Sequence, residues 1–342
     1  MTPAGTRNVF RSVVRALIFV ACASPILSVH AQKYQPNCTN ESIYTSLEGR
    51  GLYIHGGQDV PGYMTDEFFM IDLSKSWNVD NPTYKKLRRS LASDYNPGGI
   101  TSDGKLWTGL TEHYAMRYNA KTKAWLELVP TNITDPTGLT GATDHTTNTM
   151  YVPFGYPNAK GHSEMLIVNL RTGDITSDGR SYPMNQQTGY ATAWNPHRKS
   201  LIYVSSDGVF EYTQKDGWKP FFSKGLGVPP VWGSCLVSVG GGTKMALFGG
   251  LTKDDAMIGD IYVLDLTMEG KERWTKASVT SKQRSEMARQ APACGSTGNQ
   301  VIISGGSVLP GWNDFECPKQ RTLVFDVKTM KWTNRYVAQG QK

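Results

Sequence analysis

Apolar residues along this chain fall in short runs, not at helical spacing. The runs GLYIHGG from Gly51, KLWTG from Lys105, TMYVPFG from Thr149, SLIYVSS from Ser200, KMALFGG from Lys244 and QVIISGG from Gln300 are rich in β-branched and aromatic residues. Each stops at glycine or serine, which predicts a strand entering a turn that needs positive φ or close backbone approach. A second run lies downstream of each: EFFMIDL from Glu67, YAMRYN from Tyr114, MLIVNL from Met165, VFEYT from Val209, DIYVLDL from Asp260 and TLVFDV from Thr322. Most end on an Asp or Asn (Asp72, Asn119, Asn169, Asp265, Asp326), with Thr213 as the exception. A third strand closing into an Asx-type turn is expected there. An aromatic follows at Trp77, Trp125, Trp218, Trp274 and Trp332, with Ile175 in its place in the third copy.

Upstream of each copy a first strand is expected, at SIYTS from Ser42, GGITS from Gly98, GATDH from Gly141, GYATAW from Gly189, GSCLVSV from Gly233 and QAPACGS from Gln290. The connectors to the second strands are LEGR, SDG, TTN, NPHRK, GGGT and TGN, compositions that tight hairpins use. The small residues of the first strands suit a crowded position around a central channel. A four-strand unit recurring about every 50 residues matches the longest of the common repeat periods.

With Gly-Gly after the second strand, an aromatic-rich third strand ending in Asp and then a Trp, the chain resembles the kelch-repeat β-propeller family. Gly-Gly is intact at Gly56 and Gly57, Gly249 and Gly250, and Gly305 and Gly306, so the resemblance is strongest in blades one, five and six. It implies an all-β fold: a six-bladed propeller of four-stranded antiparallel blades, closed into a ring because single repeats do not bury their own faces. Closure is expected by packing, by a bridge at Cys38, or by residues 34–39 adding an edge strand.

The first 31 residues are read as a secretory signal: Arg7, Arg11 and Arg15, an apolar run from Ala16 to Val29, and cutting after Ala31. The propeller then spans 32–342, a 311-residue mature chain. Loss of three arginines lowers the net charge from +7 to +4, with 33 cations against 29 anions. No run of Lys and Arg is interleaved with aromatics, which argues against nucleic acid as partner. No later segment is long and apolar enough to span a bilayer, so a secreted, extracellular protein of the cell surface or wall is expected.

Export leaves Cys38, Cys235, Cys294 and Cys317 as an even set in an oxidising compartment. Three pairings are possible. In a propeller Cys38 and Cys317 share a face at the ring seam, while Cys235 and Cys294 lie on first strands of adjacent blades, which favours those two pairs. The alternative for Cys235 and Cys294 is a pair of buried thiols. Sequons at Asn37, Asn40 and Asn132 are candidate glycosylation sites.

Propeller architecture also suggests a copper-radical oxidase of the galactose-oxidase type. Such a site needs two His, two Tyr and a Cys cross-linked to one of them. The mature histidines His55, His113, His145, His162 and His197 are scattered over four blades with none paired at ligand spacing. The Ser-Asp-Gly turns at Ser102, Ser177 and Ser206 lack the spacing of sialidase Asp boxes and read as hairpin turns. No catalytic constellation, metal site or cofactor is therefore assigned. The loops of one face instead carry Tyr63, Tyr156, His162 and Trp312, with Trp232 and Arg289 leading into blades five and six. Rings that stack on sugar faces, aided by Arg289 and Asp314, predict a non-catalytic module recognising an extracellular glycan or protein.

Overall fold

Every expected hairpin forms, and the hairpins join into six antiparallel sheets, each built from consecutive stretches of chain. Blade one runs Ile43–Leu47, Gly51–His55, Phe68–Asp72, Tyr84–Lys86 from the inside outward. The innermost strands of the others are Gly98–Ile100, Ala142–Asp144, Tyr190–Asn195, Cys235–Val239 and Ala293–Thr297. The computed structural model describes residues 34–340, except 61, 127, 132, 134–137, 158–162, 182–189, 206–207, 222–231, 253, 268–273 and 311–314. For 154–157, 163 and 181 it describes the backbone alone. Tyr34–Lys342 forms one compact unit.

The Asx turns are made as the sequence implies. The carboxylate of Asp72 accepts from Ser74 N at 2.9 Å, Asn119 Oδ1 from Lys121 N at 3.0 Å, and Asp326 Oδ1 from Lys328 N at 2.9 Å. Thr213 performs the same task with its hydroxyl, accepting from Asp216 N at 3.0 Å. Side-chain oxygens thus satisfy the amides that the third strand leaves unpaired at its end.

The Gly-Gly pairs weld blade to blade. Gly57 N donates to Ser93 O of the lead-in to blade two at 2.7 Å, and Gly250 N to Arg289 O of the lead-in to blade six at 2.8 Å. Gly306 N repeats the contact across the seam, donating to Thr39 O at 3.0 Å. A Cβ on Gly56 or Gly305 would collide with Ser93 O or Thr39 O, and both glycines hold positive φ. The backbones approach so closely that no side chain fits between them.

The seam has further ties. Cys38 is bonded to Cys317, and Cys235 to Cys294, each pair with Cα atoms 6.1 Å apart. The last strand, Arg335–Tyr336, pairs with Trp77–Asn78 of blade one, and the Tyr336 hydroxyl donates to Leu73 O at 2.7 Å. Residues 34–39 form no strand, so the edge-strand mode of closure does not occur. Trp77 therefore departs from its counterparts: it stacks on Tyr336 at 4.8 Å, and the fourth strand of blade one starts at Tyr84.

Packing between blades uses aromatics and aliphatics of the first three strands. Between blades one and two, Ile43, Phe68, Ile100, Trp107, Met116 and Tyr118 are buried together. Each such side chain stabilises the ring by about 1.5–3 kcal/mol relative to exposure. Among the described residues one α-helix interrupts the β pattern, Ser281–Met287, between blades five and six. Its capping box is complete: Gln283 N donates to Thr280 Oγ1, and the Gln283 side chain receives Thr280 N.

Candidate binding face and central channel

First-strand lead-ins and second-to-third loops share the upper face, and the first-to-second hairpin turns lie below. At the upper mouth of the channel the lead-ins form a chain of backbone hydrogen bonds. Ala291 N donates to Gly233 O at 2.6 Å, Glu41 N to Ala291 O at 3.1 Å, Tyr95 N to Glu41 O, and Gly138 N to Tyr95 O at 2.8 Å. All five residues hold positive φ, from 41° at Tyr95 to 79° at Gly138. The corresponding stretch of blade four falls outside the described residues. Non-glycine residues in this region are strained, and such strain concentrates at functional sites.

Glu41 is the chemically distinctive member. It is 4% exposed, and its Oε1 has no hydrogen-bond partner among the described residues. Burial, then the like charge of Asp94, pushes its carboxyl up to about 7, so it holds a proton well above the usual carboxylate range. Asp94 itself accepts from Gln58 Nε2 at 3.1 Å. Tyr95 crosses the mouth: a Cβ at Gly138 would lie 3.6 Å from its ring, and one at Gly233 of blade five 3.7 Å from its hydroxyl. Burial raises the hydroxyl pKa of both Tyr95 and Tyr44.

Beneath lies a cavity of about 380 Å³ between the innermost strands. Hydroxyls of Thr143, Thr192 and Ser238 and the rings of Tyr44, Tyr95 and Trp194 wall it. No Lys or Arg is among the described lining residues. Trp194 stacks flat on Tyr151, with centroids 5.3 Å apart and planes at 9°. At the lower end Glu48 accepts from Gly298 N at 2.9 Å, and His145 Nε2 lies 3.2 Å from Ser46 O. Burial lowers the pKa of His145.

The residues expected to bind ligand do not share one environment. Tyr63 stands out from the upper face, 71% exposed. Trp232 is half-buried, its backbone bridged to Leu251. Arg289 is fully buried and spends its guanidinium on carbonyls: Met287 O at 3.1 Å, Gly305 O at 3.2 Å and Gln320 O at 3.1 Å. Burial depresses its pKa to about 9. It braces the seam between blade six and its lead-in and is not presented to solvent. The strand Thr149–Pro157 contains Tyr156, whose side chain is not described, and His162, Trp312 and Asp314 lie outside the described residues.

Of the sequons, Asn37 is exposed, whereas Asn40 is 1% exposed, which leaves no room for a glycan in the folded chain. Asn132 and the expected signal segment 1–31 lie outside the described residues. His55 sits in a box of Phe68, Trp107 and Trp125, with ring centroids 5.3–5.7 Å away, and burial lowers its pKa to about 3. Among the described residues no three of His, Cys, Asp and Glu converge as metal ligands, and all four cysteines are in disulfides. No helix among them is long and apolar enough to cross a membrane. The sequence reading missed Glu41, Asp94 and Tyr95. Glu41 was visible only as the middle of the sequon Asn40-Glu41-Ser42.

No protein-family model matches the sequence, and a search of curated proteins found no match either. Kelch membership thus stands as a resemblance of motifs. Among solved structures, a structure of YjhT is 13% identical, with a TM-score of 0.58 over 87% of this chain and 98% of that one. A crystal structure of a nidogen/laminin complex gives 12% identity and a TM-score of 0.53 over 81% and 92%. An oligogalacturonate lyase in complex with manganese gives 13% and 0.46 over 87% and 77%. At such identities the first two likenesses concern the fold alone, and with the sheet topology they place this chain among six-bladed β-propellers.

Proposed function

We propose that this chain is a secreted, non-catalytic binding module that takes an extracellular glycan at its upper face, with the end of the glycan entering the channel. The cavity carries the reading. Its volume of about 380 Å³ lies in the range of small-ligand sites. Hydroxyls and aromatic edges suit sugar hydroxyls and sugar faces, and the charged groups among the described lining residues, Glu48 and Asp144, disfavour an anionic ligand. Two disulfides are consistent with an extracellular setting. The test is an array of glycans and cell-wall fragments probed with the secreted chain and with Trp194→Ala and Trp232→Ala variants. Binding that falls at least about tenfold in Trp194→Ala supports a channel site. Absence of binding by folded wild type sinks the glycan reading and leaves a protein ligand for the same face.

Glu41 favours a second reading, a carbohydrate-active propeller. A buried carboxyl with an unpartnered oxygen that keeps its proton near neutrality has the protonation state a general acid on sugars needs. Turnover of reporter glycosides that disappears in Glu41→Gln while the fold persists would replace the binding reading with this one.

A further inference from the structure

The second-to-third loops of blades one and five share one hydrogen-bonding pattern among the described residues. In blade one Asp59 N donates to Tyr63 O at 3.0 Å, Gly62 N to Asp59 O, and Thr65 N to Gly57 O at 2.9 Å. In blade five Thr252 N donates to Ala256 O at 2.9 Å, Asp255 N to Thr252 O at 3.0 Å, and Ile258 N to Gly250 O at 2.9 Å. Positive φ recurs at Gly62 and Asp255, and the bridge Gln58 to Met64 recurs as Leu251 to Met257. Blade five fills the tip with Lys253, Asp254, Asp255 and Ala256, whereas blade one has Val60, Pro61, Gly62 and Tyr63. The turn therefore has no need of large apolar side chains at positions 60 and 63, yet in blade one they are there and face solvent, beside Met64, whose counterpart Met257 is also a methionine. Val60 is 57% exposed, Tyr63 71% and Met64 58%.

The neighbouring chain enlarges this apolar tip and gives it charge. Leu87 N donates to Phe68 O at 2.8 Å, Arg89 pairs with Asp66 at 3.2 Å, and Ser93 N donates to Thr65 O at 3.4 Å. These contacts hold residues 88–91 beside the loop, with Leu91 50% exposed. Lys85 and Arg89 are paired with Asp72 and Asp66. Lys86 and Arg88, both exposed, have no carboxylate at ion-pair distance among the described residues, and Lys86 lies 5.6 Å over the Tyr34 ring. Other carboxylates nearby are Asp59 and Asp94, half-buried, the latter held by Gln58, and Glu67, which is buried and accepts from the Tyr34 hydroxyl and Asn37 N, both at 2.8 Å.

We propose that this corner of blade one docks on an anionic lipid surface, with Val60, Tyr63, Met64 and Leu91 entering the interfacial layer and Lys86 and Arg88 facing its phosphates. The exposed side chains of the tip are mostly aliphatic with a single aromatic ring, so they offer a sugar no platform of rings. Aliphatic groups led by a tyrosine, with cations behind, are the composition that bilayer interfaces accept. The proposal does not depend on the channel ligand.

Flotation of the full chain with vesicles tests it, using phosphatidylcholine alone and phosphatidylcholine with phosphatidylserine. Two cations near a charged surface predict about thirtyfold stronger partitioning into the serine-containing vesicles, weakened by salt. The variant Val60→Lys with Tyr63→Ala copies blade five, so the turn is expected to form, as an unchanged thermal melt would verify. It should lose at least about tenfold in partitioning although it gains a cation, which attraction by charge alone would have strengthened. Arg88→Gln should lose about fivefold. The proposal is overturned if wild type floats with neither vesicle, which would direct the tip to a protein pocket. Equal flotation with both vesicles, or of the double variant and wild type, overturns it as well.

Discussion

Two buried groups, Glu41 and His55, give stability opposite pH dependences between pH 5 and 7, and a single substitution separates them. Glu41 has its carboxyl raised from 4.5 to about 7, so the folded chain holds this proton more tightly than the unfolded chain. Its contribution to stability is full below pH 4.5 and is lost as pH rises through 7. His55 is lowered from 6.5 to about 3, and its contribution is full above pH 6.5 and is lost as pH falls toward 3. Going from pH 7 to pH 5, linkage gives a gain of about 2 kcal/mol at Glu41 and a loss of about 2 kcal/mol at His55. The two oppose each other, and His145, whose pKa burial also lowers, adds to the loss on acidification, so the wild-type profile alone does not isolate Glu41.

Glu41→Gln replaces the protonated carboxyl by a neutral isostere and removes one side of the balance. Urea unfolding at pH 7 and pH 5 is then expected to show wild type gaining about 2 kcal/mol over the variant at the lower pH. The variant itself should weaken on acidification, because the titration of His55 is no longer offset. His55→Phe should show the converse, since its box of Phe68, Trp107 and Trp125 accepts an aromatic ring without a proton to bind. An offset between wild type and Glu41→Gln that is the same at both pH values would refute the assignment of Glu41 as a proton holder. The carbohydrate-active reading would lose its main support with it.

Gly250→Ala is expected to cost about 2–4 kcal/mol, because a Cβ there would meet the Trp232 carbonyl and φ is 90°. Gly241→Ala, at positive φ in open space, should cost about 1 kcal/mol in the same thermal melts. Replacing Cys38 and Cys317 by serine removes a crosslink over 279 residues, against 59 for Cys235 and Cys294. Loop-closure entropy sets ceilings of about 6 and about 4 kcal/mol, so denaturant midpoints should fall further for the first pair, and the reverse order would contradict an entropic role. Arg289→Met should lower stability by about 3 kcal/mol by leaving the Gly305 and Gln320 carbonyls unpaired. Ligand affinity of the folded variant should be unchanged, and a selective loss of affinity would restore Arg289 to the binding face.

What the sequence disclosed depended on how local its cause was. The third-strand Asp and Asn residues announce themselves because their turns close within three residues, and even Thr213 keeps the geometry with a hydroxyl. The cysteine pairs were legible once blade order fixed which strands are neighbours. The helix Ser281–Met287 also had a local signal, the Thr280 to Gln283 capping box, which the β pattern overshadowed. Trp77 was misleading because the partner that diverts it, Tyr336, lies at the other end of the chain.

The same reasoning explains why the site was harder to read than the fold. Arg289 looked like a binding residue because sequence gives its charge and its side of the disc but not the three carbonyls that enclose it. Glu41 acquires its character wholly from non-local contacts: Ala291 and Tyr95 fix its backbone, and Asp94 and burial hold its proton. Nothing in the triplet Asn40-Glu41-Ser42 distinguishes it from a loop carboxylate. The apolar tip of blade one is an intermediate case, since its residues are ordinary for a turn taken alone. Only comparison with the matching turn of blade five separates what the backbone requires from what a partner requires. A repeat fold thus supplies its own controls: where one copy departs in side chains from a sibling with the same backbone hydrogen bonds, those bonds do not account for the difference, and binding becomes the first explanation to test.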